Sequence, residues 1–150
     1  MEKRPKVLFL STGNSTRSQM AEGILRASAG DIFEPVSVGI ESTDRDPIAI
    51  EVMKEVDIDI SRQHSKTVPE SFKEHFGFVI TVSDPRERAP IFPFTPNLVH
   101  WNLEDPSVRQ IATQEKKDAF RHAREELRAR VQAFVTETSQ RYQVAEPAHG

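Results

Sequence analysis

The sequence predicts an α/β domain built on a doubly wound sheet of four parallel strands flanked by helices. Three observations lead there. Val7–Leu10 is a continuous apolar run, the mark of a strand covered on both faces of a parallel sheet. Strand and helix patterns then alternate along the chain, as successive crossover units require. Finally, 150 residues with 37% hydrophobic and 29% charged content fit one compact domain around a single core. The domain is placed at residues 1–142, with 143–150 as a flexible tail.

Each element has a local reason. Gln19–Ala29 reads as a helix, with Met20, Ile24 and Ala27 spaced to face the sheet and Gly30 as its C-cap. Pro35–Val38 is a second strand, ended by Gly39, and residues 40–46 form a polar loop. Asp46 and Pro47 supply the N-cap and first position of a helix reaching about Val56. Pro69–Phe76 reads as a short helix, Phe78–Val82 as the third strand and Leu98–Trp101 as the fourth. Between these strands the Ser83–Asn97 stretch carries Pro85, Pro90, Pro93 and Pro96, and a loop of that length is usually functional or mobile. A long helix follows from about Thr113 to Arg141, with Phe120, Ala123, Leu127, Val131 and Phe134 on one stripe and charges opposite.

Composition removes several classes of function. A net charge of −3 argues against a general nucleic-acid binder. No apolar run has the length of a membrane span, and the first residues lead into a strand rather than a secretory signal, so a cytoplasmic location is expected. The five histidines show no metal-ligand spacing, and nothing calls for a metal or other cofactor. The chain has no cysteine, which removes disulfides, thiolate ligands and thiol redox steps.

The segment between the first strand and first helix carries the chemistry. Ser11-Thr12-Gly13-Asn14-Ser15-Thr16-Arg17-Ser18 leaves a strand and opens a helix, so its backbone N–H groups converge on one small bowl. Gly13 permits close approach and Asn14 tolerates a left-handed conformation. The helix dipole and Arg17 add positive potential, and the guanidinium fork matches two oxygens of a tetrahedral anion. Taken alone, the same residues are also ordinary turn chemistry. The nucleotide-binding pattern Gly-x4-Gly-Lys-Ser/Thr is absent.

The run Lys6–Gly23 resembles the opening of the low-molecular-weight tyrosine phosphatase superfamily, in its thioredoxin-coupled arsenate reductase branch. Further agreement lies at Ile48–Met53, Ile58–Ser61, Val79–Asp84 and His100–Ser107, so the likeness spans roughly residues 6–138. The resemblance implies oxyanion binding by Thr12, Gly13, Asn14, Ser15, Thr16, Arg17 and Ser18, and catalysis by a nucleophile at position 11, by Arg17 and by Asp105 as general acid. It implies arsenate, phosphate or sulfate as ligand, reduction of arsenate to arsenite, and thioredoxin as electron donor. By the same likeness Ser18 hydrogen-bonds the nucleophile. Without it, Asp105-Pro106 is an ordinary turn opener and Ser18 a capping residue.

The departures from the family pattern matter most. Ser11 stands where the nucleophilic cysteine belongs, Ser83 at the first relay cysteine, and Thr16 where many relatives carry another. The third relay position has no clear counterpart near Arg88-Ala89-Pro90. A thiol reaches the neutral range because it starts near about 8.5, whereas a serine hydroxyl starts many units higher and has no base within the loop. Arsenate reduction also needs electrons from thiols that become a disulfide, which serine cannot give. The expectation is therefore anion binding without the family reaction. A cysteine-free variant and a natural pseudoenzyme fit this pattern equally. The alternatives are a slow phosphomonoesterase and a non-catalytic phosphate-binding or regulatory module.

Overall fold

The computed structural model describes residues 4–11, 16–39, 46–63, 66–67, 76–84, 97–106 and 112–145. Five strands form one sheet: β1 (Lys6–Ser11), β2 (Glu34–Gly39), β3 (Lys66–Thr67), β4 (Phe78–Ser83) and β5 (Leu98–Asn102). Their order is β3-β2-β1-β4-β5 and every pairing is parallel. The four expected strands are all present. The two-residue strand β3 extends the sheet beyond them at one edge, where Lys66 and Thr67 pair with Val38 and Gly39. It was not expected because one lysine and one threonine give no apolar signal.

Helices α1 (Thr16–Ala29), α2 (Pro47–Lys54) and α3 (Thr113–Ala145) cover one face of this sheet. On that face Val7, Phe9, Phe78, Ile80 and Val82 pack against Met20, Leu25, Val52, Met53, Phe120, Leu127 and Val131. Leu8, Leu10, Val38 and Val79 form a second cluster with Phe76, consistent with the two-residue alternation of side chains along β1. Burying a side chain such as Phe120 or Leu127 stabilises the fold by about 1.5–3 kcal/mol. Trp101 belongs to the first cluster, its ring 6.0 Å from that of Phe9.

The helix boundaries follow local chemistry. Asp46 caps α2 by accepting from the Ile48 N–H at 2.9 Å, with Pro47 behind it. Beyond Lys54 the chain turns through Asp57 in the left-handed region (φ 63°), and the Ile58 N–H reaches back to the Met53 carbonyl at 3.1 Å. All five residues of the expected α3 stripe are buried.

Three expectations need correction. Ala27 is exposed, because α1 is buried all round only from Thr16 to Leu25 and in its last turn Ala29 alone stays buried. Gly30 follows α1 without a left-handed φ; its need for glycine is spatial, since a Cβ there would sit 2.5 Å from the Arg26 carbonyl oxygen. The last helix runs to Ala145, into the stretch expected to be a tail from residue 143. No proline or glycine interrupts it before Pro147, and proline disfavours helix in the residue before it. Residues 146–150 lie outside the described residues, as do residues 69–75 of the helix expected over Pro69–Phe76.

Candidate oxyanion site

Chain order reverses between β1 and β4, which lie side by side although most of the first half of the chain separates them. In open α/β sheets the crevice beyond the carboxyl ends of two such strands is where ligands bind. Ser11 ends β1 there, in register with Gly39 on β2 and Val82 on β4. Ser83 ends β4, in register with Asn102 at the end of β5. The sheet alone thus brings positions 11 and 83 to adjacent strand ends.

The first turn of α1 closes over this point. Ser11, Thr16, Arg17 and Ser18 are all fully buried, and the Ser11 Oγ accepts a hydrogen bond from the Ser18 backbone N–H at 3.0 Å. The first amides of a helix have no partner within it, and here Ser11 satisfies one. It also means that a helix N-terminal N–H points at the side-chain atom of residue 11. Thr12, Gly13, Asn14 and Ser15, which complete the expected loop, lie outside the described residues.

Among the described residues Arg17 is the largest fully buried side chain. An unpaired guanidinium in that position would be prohibitively costly, so its partners define it. One terminal nitrogen, Nη1, donates to the Leu103 carbonyl at 2.8 Å, and the other, Nη2, lies 3.6 Å from the Asp105 Oδ2. Asp105 is itself only 4% exposed. Both partners sit on the short segment that leaves β5, which is anchored in turn by the Leu103 N–H donating to the Ser83 carbonyl at 2.8 Å. Strand ends β1, β4 and β5 and the start of α1 are therefore tied together around one arginine.

Of the residues singled out in the sequence, the structure joins Ser11 to Ser18 and places Arg17 beside Asp105. Ser83 is adjacent but differs in kind: its Oγ is buried with no hydrogen-bond partner among the described residues, and its carbonyl does the connecting. Leu103 was missed, because a main-chain carbonyl leaves no mark in the sequence. Residues Asn102–Glu104 and Pro106 also line a cavity of about 370 Å³ against Ala119, His122, Ala123, Glu126 and Arg130 of α3. His122 on its wall is 78% exposed, and neither Ser11 nor Arg17 lines it.

The parallel sheet with a buried arginine at its switch point is a doubly wound α/β arrangement. The chain belongs to the low molecular weight phosphotyrosine protein phosphatase family, whose pattern matches residues 6–144. Among curated proteins it is similar to the arsenate reductase of Oceanobacillus iheyensis, at 37% identity over 130 residues covering 86% of this chain and 94% of that protein. The arsenate reductase of Halalkalibacterium halodurans is 38% identical over 132 residues, with the same coverage of each. A solved arsenate reductase in the phosphate binding state superimposes with a TM-score of 0.74 at 30% identity, over 89% of this chain and 98% of that one.

Proposed function

We propose that this chain binds arsenate, phosphate or sulfate between the end of β1 and the first turn of α1, and does not convert arsenate to arsenite. The observation that carries the first half is Arg17, wholly buried at the switch point with Nη2 held toward Asp105 rather than out to solvent. The Ser18 N–H donates to the Ser11 Oγ and so fixes position 11 at the N-terminal end of α1, the end of a helix that favours anions. Similarity to an arsenate reductase in the phosphate binding state supports the same ligand class.

The second half rests on chemistry. Ser11 lacks the sulfur that would attack arsenate, and a chain without cysteine can form no disulfide for thioredoxin to reduce. Asp105 beside Arg17 favours a second reading, slow hydrolysis of phosphate monoesters with Asp105 as the acid. The test is calorimetric titration of arsenate and phosphate, followed by reductase and aryl phosphatase assays before and after Ser11→Cys. Binding by both forms, with hydrolysis only after substitution, is the expected result. Turnover by the unmodified chain above a Ser11→Ala control would favour the second reading, and arsenite production would refute the first.

A further inference from the structure

The cavity of about 370 Å³ between α3 and the segment leaving β5 stands apart from the oxyanion site, since neither Ser11 nor Arg17 lines it. Its hollow has a local cause. Ala119 and Ala123, one helical turn apart, present only methyl groups to the segment, so the two elements meet without filling the space between them. Leu103, Pro106 and Ala123 on the lining are buried, which gives the hollow an apolar part. Its volume falls in the range that holds a small molecule.

Two carboxylates border this hollow, one from each wall. Glu104 has no ion pair or hydrogen bond with the other described residues. Glu126 stands between His122 and Arg130 of its own helix, each at 3.8 Å and so beyond hydrogen-bond length. Both carboxylates thus keep their acceptor oxygens uncommitted, and they outnumber the one guanidinium on the lining. An apolar body that carries a planar cation suits this arrangement: it covers the buried apolar atoms and offers a carboxylate a forked donor. An anion would meet two like charges. We infer that this cavity binds a small organic cation, an amidinium or guanidinium on an apolar stem, held by Glu126 and Glu104.

The experiment titrates three ligands of one shape and different charge, benzamidine, benzamide and benzoate, into the full chain and follows backbone amide NMR shifts. Benzamidine binds at least about tenfold more tightly than benzamide, the worth of one charge-assisted hydrogen bond, and benzoate binds more weakly than either. The amides of Leu103, Ala119 and Ala123 shift with benzamidine. Glu126→Gln lowers benzamidine affinity by about tenfold, and Glu104→Gln lowers it in the same direction. Ala119→Leu fills the hollow with a good helix former and abolishes binding. The comparison of the three ligands on the unmodified chain stands even if a variant fails to fold. Equal affinity for the three, preference for benzoate, no benzamidine binding at millimolar concentration, or shifts confined to other residues overturns the inference. Benzamidine binding that survives in a folded Ala119→Leu chain overturns it as well.

Discussion

The hydroxyl of Ser11 accepts a hydrogen bond from the Ser18 main chain, three residues into α1, at 3.0 Å. A helix-end amide aimed at a side-chain atom favours negative charge on that atom. For a serine hydroxyl this bias is too small to matter; for a thiol it moves ionisation into the working range. The thiol introduced by Ser11→Cys is expected to titrate at least about one unit below the ordinary value near 8.5. It would be the single thiol in the chain, so the pH profile of its alkylation reads it directly.

Removing the guanidinium has two separable consequences. Arg17→Ala leaves the Asp105 carboxylate buried without its cation and is expected to cost about 3–5 kcal/mol in denaturant unfolding. Arg17→Lys keeps a charge but loses the fork that spans Leu103 and Asp105, so it should retain more stability. Phosphate affinity is expected to fall by about tenfold or more in the lysine variant, a loss of one charge-assisted hydrogen bond, as followed by calorimetry.

Gly23 sets how closely the segment after α2 packs on α1. A Cβ at this position would lie 2.7 Å from the Ile60 Cγ2 and 3.0 Å from the Gln63 Oε1, in a place where Ile60 is fully buried. Gly23→Ala should gain about 1 kcal/mol of helix propensity and lose more through crowding. Net destabilisation of about 1–2 kcal/mol in a urea titration is the expected outcome, relieved when Ile60→Ala is added.

Glu55 links α2 to α3. Hydrogen bonds from Arg121 and then Arg124 hold its carboxyl down to about 2, from the usual 4.5. A carboxyl depressed in the folded state contributes stability that is complete above its unfolded value and is lost as pH falls toward its folded one. The contribution is therefore full above about pH 4.5 and fades toward about pH 2. Glu55→Gln is expected to lower Tm by about 2 °C at neutral pH, with the gap closing in molar salt and in acid, as thermal scans would show.

Much of this was legible because the deciding signals are local. Val7–Leu10 announces a buried strand, Asp46-Pro47 a helix start, and Phe120 through Phe134 a helix stripe, and each holds in the structure. What was not legible depends on partners distant in sequence. The edge strand Lys66–Thr67 exists only because β2 offers it a ladder. Ala27 follows the helical period yet lies in the last turn of α1, where Ala29 alone stays buried. The site divides along the same line: Ser11, Arg17 and Asp105 can be picked out by residue type and family pattern. That Leu103 ties Arg17 to the end of β4 comes from backbone geometry alone.

The most direct measurement is equilibrium dialysis of the unmodified chain against arsenate in the presence of thioredoxin and its reductant, with arsenic speciation on both sides of the membrane. Arsenate retained on the protein side, with no arsenite formed above the protein-free control, is the predicted result. Accumulating arsenite, or arsenate distributed equally across the membrane, would contradict it.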